Sequence, residues 1–251
     1  MIVVPPAALV TAAAVVVAGG VALYARHLVR RQDHWRIALS EKIPVHSAYW
    51  REQGRGTGEL HYVAIGDSAA QGIGASRPAH SYVGLIAAHL RSRLKPRPLR
   101  VSNLSVSGAT VRMALDVELP KFAKTRPDIV TVSIGANDMA AFEPGRFERE
   151  LGELFSALPP HAIVADLPSF YFLPAEKKVR IANVILRRLA AEHGFTVVDL
   201  HSRTNRQGAW GVVTQFAGDL FHPNDRGYRI WASAFLPAID ARLEELGHPR
   251  I

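Results

Sequence analysis

Five short runs rich in valine and isoleucine, each followed by a segment of helical period, limit what this chain can fold into more than any other feature. The runs are His61–Ile65, Leu99–Leu104, Asp128–Ile134, Ala162–Leu167 and Thr196–Leu200. Between them lie Ser81–Leu94, Val111–Ala123, Phe147–Leu158 and Pro174–His193, with apolar residues three and four apart. Asp225–Leu246 closes the series, with a bend expected at Pro237. Strands apolar along their whole length are buried on both faces, and alternation with helices makes neighbouring strands parallel. The expectation is an α/β fold, a three-layer α/β/α arrangement around a five-stranded parallel, flavodoxin-like sheet. Ligands of such sheets bind beyond the carboxyl ends of the strands, so those ends are where chemistry is to be sought.

The first run ends in Gly66-Asp67-Ser68-Ala69-Ala70-Gln71-Gly72. A buried strand that stops sharply leaves Ser68 where a helix would begin, with its hydroxyl exposed and backbone N–H groups free around it. Such a serine is either a helix cap or a nucleophile. A nucleophile also needs a base, a group that orients the base, and donors for an oxyanion. Beyond the second run comes Asn103-Leu104-Ser105-Val106-Ser107-Gly108-Ala109-Thr110, and beyond the third Gly135-Ala136-Asn137-Asp138. Beyond the fifth, after a longer loop, comes Asp219-Leu220-Phe221-His222-Pro223-Asn224. Asp219 and His222 are three residues apart, just before a helix that Asn224 or Asp225 would cap. In such a turn the carboxylate can reach Nδ1 of the imidazole and leave Nε2 to face Ser68, which fixes the tautomer. Taken singly, Gly108 and Asn137 are ordinary turn residues, and Asp67 and Asp138 are expected to bond turn N–H groups. A competing acid–base pair, Asp199 with His201 near Asp166, has no oxyanion donors attached and reads as structural.

Taken in order, G-D-S, then N-x-x-x-S-G, then G-A-N-D, then D-x-x-H-P-N, the chain from Tyr62 to about Tyr228 resembles the SGNH subgroup of GDSL-type hydrolases. The resemblance implies that Ser68 is the nucleophile, His222 the general base and Asp219 the acid that orients it. It implies oxyanion donors at the N–H of Ser68, the N–H of Gly108 and the side-chain amide of Asn137. Ala69 stands where the family name has leucine, which bears on the packing of the turn and not on the chemistry. The G-x-S-x-G elbow of α/β-hydrolases is absent. The implied reaction is hydrolysis of a carboxylic ester through an acyl-enzyme, with no metal or cofactor. Phe170, Tyr171 and Phe172, with Met139 and Phe142, either line an acyl pocket or pack as core. The natural ester is thus short-chain or lipid-derived, or, as the alternative, an O-acetyl group on a carbohydrate or cell-envelope polymer. A catalytically silent binding module would show substitution at the Ser, Asn or His positions, and none is seen. Gly72-Ile73-Gly74 lacks the third glycine of a dinucleotide fingerprint, since Arg77 stands there.

The +8 charge of the 251 residues is confined to two places. Arg26, Arg30, Arg31 and Arg36 face only Asp33, and Arg91 to Arg100 holds five cations and no acid. One cluster abuts an apolar segment and the other is broken by Pro96 and Pro98, neither of which suits a groove of nucleic acid. There is no cysteine, which removes disulfides, thiolate metal sites and a cysteine nucleophile. Ile2 to Ala25 carries no charged side chain, and after Pro5-Pro6 it runs for about 28 Å as a helix, near the thickness of a hydrocarbon core. Residues 1–25 are therefore expected to form a single-pass transmembrane anchor, 26–59 a basic juxtamembrane segment and linker, and 60–251 the hydrolase domain. The alternative is a cleaved signal peptide, which normally has a basic start and a shorter apolar core. The arginines after the span favour the cytoplasmic side of the membrane. Oligomeric state is not legible.

Overall fold

The computed structural model describes residues 6–171 and 173–248, excepting the side chains of 6–18 and of a few further helical positions. In chain order the elements are α1 (Pro6–Ser40), α2 (Ile43–Arg55), β1 (Leu60–Gly66), α3 (Ser68–Gln71), α4 (Tyr82–Leu94) and β2 (Leu99–Asn103). Then come α5 (Val111–Met113), a π-helical turn (Ala114–Glu118), α6 (Leu119–Phe122), β3 (Ile129–Ser133), α7 (Pro144–Ser156) and β4 (Ala162–Ala165). The chain ends with α8 (Leu173–Glu192), β5 (Thr196–Val198), α9 (Leu200–Asn205), α10 (Gly208–Thr214) and α11 (Asp225–Glu245).

The strands pair in the order β2-β1-β3-β4-β5, every pairing parallel. Alternate residues of β1 serve opposite layers, as the two-residue period of a strand requires. Val63 and Ile65 pack with α5 to α8, while Tyr62 and Ala64 pack with Trp50 of α2, α4 and α11. The sheet is therefore buried on both faces and the three-layer expectation holds. All five strands fall within the runs named above or within a residue of them. The fifth is shorter than expected because the Asp199 side chain accepts from the Ser202 N–H and begins α9 instead of extending the ladder.

The structure bears on two expectations about the first 59 residues. Among the described residues no helix is long and apolar enough to cross a membrane. Much of the anchor expected over 1–25 rests on residues 1–5 and on side chains of 6–18, which lie outside the described residues. The segment expected as a linker is largely helical. α1 runs on to Ser40, and α2 packs against the domain with His46 and Trp50 buried. The His46 ring bonds Gln71 O at 2.9 Å, and Trp50 Nε1 donates to the same carbonyl at 3.0 Å. Gln71 ends α3, the short helix that Ser68 begins. The supposed linker thus buttresses the turn that carries the serine.

Candidate active site

The ends of β1, β2 and β3 and the loop before α11 converge on one side of the sheet. Ser68 is the first residue of α3, yet it does not cap the helix. Asp67 does so, accepting from Ala69 N at 2.9 Å. That leaves the Ser68 hydroxyl for other work, and its oxygen lies 2.9 Å from Nε2 of His222. On the far side of the ring, Nδ1 lies 2.6 Å from Oδ2 of Asp219. The other carboxylate oxygen of Asp219 accepts from the N–H groups of Phe221 and His222, both at 3.1 Å. Burial opposes the charge on Asp219, but the bond from His222 and these two N–H groups outweigh it and hold the carboxyl below its ordinary value. A carboxylate held ionised at Nδ1 keeps the proton on that nitrogen and leaves Nε2 free to accept.

The loop bearing the acid and the imidazole is fixed by its own chain. Ala217 N donates to His222 O at 2.8 Å, and Phe216 bridges antiparallel to Pro223. Asn224 caps α11 with its oxygen and ties Thr214 O and Phe216 O with its amide. Leu220, between Asp219 and His222, has φ +55, a conformation β-carbon residues seldom adopt. The loop can lie over the serine turn only because residue 74 is glycine. A Cβ there would meet Pro223 O at 2.4 Å and the Cβ of His222 at 2.9 Å.

Of the three expected oxyanion donors, the Asn137 amide bonds to neighbours of the other two. Asn137 Nδ2 donates to Ala109 O at 2.9 Å and reaches Asp67 Oδ2 at 3.4 Å. Its amide therefore sits between the residue after Gly108 and the residue before Ser68. Gly108 has φ +81 and open space where a side chain would stand. Asp138 accepts from Val111 N at 3.1 Å, which ties the Asn137 turn to the helix following Gly108. Burial pushes the carboxyls of Asp67 and Asp138 up to about 6 each, against the N–H groups that favour their charge. The competing Asp199–His201 pair does not form. Asp199 caps α9 and bonds Arg187, which also pairs with Asp166, while His201 Nε2 lies 2.7 Å from Glu176. Among the described residues no group of three or more His, Asp or Glu side chains could hold a metal ion.

A cavity of about 160 Å³ opens beside Ser68 and His222. Its walls include Phe170 and Tyr171 from the loop after β4, Phe216 and Phe221 flanking the acid, Val212 of α10 and Trp231 of α11. The aromatic loop thus lines the cavity in part. Met139 instead is buried in the core and Phe142 packs edge-on to Phe147; Phe172 lies outside the described residues. Sequence reasoning missed Trp231 and Gln32 of α1, which also lines the cavity. Nothing in their local pattern ties them to the serine, because only the fold brings them there.

Residues 64–230 match the model of the GDSL-like Lipase/Acylhydrolase family. The chain belongs to this family. As a GDSL-type protein it is a carboxylic ester hydrolase, and the resemblance read from four short motifs is confirmed. Among solved structures it is similar to LAE5, described as an alpha/beta hydrolase enzyme from the metagenome of Lake Arreo, Spain. The two are 28% identical, with a TM-score of 0.62 over 73% of this chain and 96% of that one. It also shares its fold with TesA, at 20% identity and a TM-score of 0.62, over 73% of this chain and all of that one. Axe2, an acetylxylan esterase from Geobacillus stearothermophilus, matches at 22% identity and a TM-score of 0.57, over 72% and 94% of the two chains. No curated protein matches this GDSL hydrolase.

Proposed function

We propose that the protein is a serine esterase acting on short-chain or lipid-derived acyl esters through Ser68, His222 and Asp219. The observation that carries this reading is the unbroken line from Asp219 through His222 to the Ser68 oxygen, with a largely apolar cavity opening at its end. Ser68 Oγ attacks the ester carbonyl carbon while its proton passes to His222 Nε2. The carbonyl oxygen takes the negative charge and is held by the N–H groups of Ser68 and Gly108 and the Asn137 amide. The C–O bond to the alcohol then breaks, and the leaving oxygen takes the proton from His222. Water attacks the acyl-enzyme by the same path in reverse, giving the carboxylic acid and free serine. Asp219 stabilises the imidazolium in both halves.

The aromatic and aliphatic walls favour a hydrocarbon acyl group over acetate, since each buried CH₂ contributes about 0.8 kcal/mol. Turnover of a p-nitrophenyl ester series from acetate to decanoate by wild type and by Ser68→Ala tests both parts. The reading expects kcat/KM to rise with chain length beyond acetate, and Ser68→Ala to be inactive. Activity in Ser68→Ala overturns the nucleophile. A rate that peaks at acetate replaces the lipid-derived substrate by an O-acetyl group. The exposed Arg26, Arg30, Arg31 and Arg36 suit a cytoplasmic anionic lipid surface. Protease digestion of the domain from outside intact cells refutes that placement.

A further inference from the structure

One buried carboxyl near the site has no part in the steps above. Glu118 has no exposed surface and ends the π-helical turn between α5 and α6. Its Oε2 accepts from Gly66 N at 3.0 Å, and its Oε1 has no hydrogen-bond partner among the described residues. The reason lies in the sheet. The β1–β2 ladder stops at Ala64 and Asn103, where β2 departs to build the Gly108 loop. Leu104 N still donates to Ala64 O and Val106 N to Gly66 O, so the N–H of Gly66 points to the side that β2 has left. Glu118 supplies the acceptor that a longer β2 would have supplied. The π turn, which carries one residue more than an α turn, aims that side chain inward; such turns recur at functional sites.

Building on the esterase reading, we infer that Glu118 is a positioning residue. It stands in for the missing strand and locks the spacing between the Ser68 turn and the Gly108 loop. A neutral carboxyl suits the place, because a second negative charge behind an oxyanion hole would oppose the charge the reaction develops there. Burial pushes the Glu118 carboxyl up to about 8. Asp67 on the serine turn raises it further, while the N–H of Gly66 and the charge of Lys121 on α6 act against this.

Glu118→Gln keeps the acceptor and cannot ionise; Glu118→Leu removes the acceptor at similar volume. With p-nitrophenyl butyrate at pH 7, the Leu variant is expected to lose about 30-fold or more in kcat at nearly unchanged KM, and Gln to restore kcat to within about threefold. From pH 7 to 9 wild type is expected to lose kcat as Glu118 ionises, and the Gln variant to hold it. A folded Leu variant with wild-type kcat overturns the inference. Where Leu does not fold, superimposed wild-type and Gln profiles over that range overturn it. Ser68→Ala run alongside separates the two readings: activity there defeats the esterase mechanism, whereas an inert Ser68→Ala beside a fully active Leu variant defeats only the role of Glu118.

Discussion

Replacing Asp219 by Asn tests the His222 geometry without removing atoms. In the native loop one oxygen of Asp219 accepts two backbone N–H groups and the other lies 2.6 Å from Nδ1 of His222. The asparagine oxygen can keep the two backbone bonds, which puts its NH₂ against Nδ1. Two donors cannot share that position, so the ring proton moves to Nε2. Nε2 lies 2.9 Å from the Ser68 oxygen, and once protonated it cannot accept the serine proton. In Ser-His-Asp enzymes the corresponding change lowers kcat about 10⁴-fold, equivalent to ~5.4 kcal/mol of barrier. The fold should barely change, because the backbone acceptor survives. Asp219→Ala should also destabilise, since burying the N–H groups of Phe221 and His222 without an acceptor costs about 1–3 kcal/mol each. The assay is steady-state hydrolysis of p-nitrophenyl butyrate with thermal melts of both variants. An Asp219→Asn enzyme within tenfold of wild-type kcat refutes the reasoning.

Asn137→Ala should lower kcat about 10²–10³-fold with little change in KM, read from the same assay, as expected for the loss of one oxyanion donor. Phe221→Ala, which strips one cavity wall, should instead raise KM about tenfold (~1.4 kcal/mol) for butyrate or longer esters and leave kcat nearly unchanged. Asp138 should govern part of the pH dependence of stability. Its carboxyl is raised to about 6, so the folded state holds a proton that the unfolded chain releases between roughly pH 4 and 6. Its contribution to stability is therefore present at low pH and lost as pH rises through that window. Urea midpoints at pH 5 and 7 should show Asp138→Asn losing less than wild type on going to pH 7. Gly218→Val tests whether α1 docks on the acid loop, because a Cβ at 218 would meet the Trp35 ring at 2.2 Å. A fall in melting temperature in the full chain is expected, and an unchanged melt contradicts the docking.

Most of the sheet and the residues around Ser68 were legible because each is announced locally. A buried strand is a continuous apolar run, and each strand end carries its own short motif. What was not legible depends on contacts across the fold. α2 opens Ile43-Pro44 and buries only His46 and Trp50, so its pattern resembles a polar connector until Gln71 is seen beneath it. Gly74 reads as half of a nucleotide fingerprint until the His222 loop is laid across it. Glu118 falls within an amphipathic helical period in which a carboxylate normally faces solvent. Only the extra residue of the π turn, and the early end of β2, bring it inside. The Asp67 cap reverses the simplest local reading of Ser68, since the cap lies one residue earlier than a Ser-capped helix implies.

The claim on which the mechanism rests is that the oxygen of Ser68 is the atom that becomes acylated. Intact-mass and peptide mass spectrometry after reaction with a fluorophosphonate measures this directly. One adduct per chain, on the peptide containing Ser68, lost in Ser68→Ala and slowed in His222→Ala, is the predicted result. An adduct on another residue, or one that persists in Ser68→Ala, contradicts it.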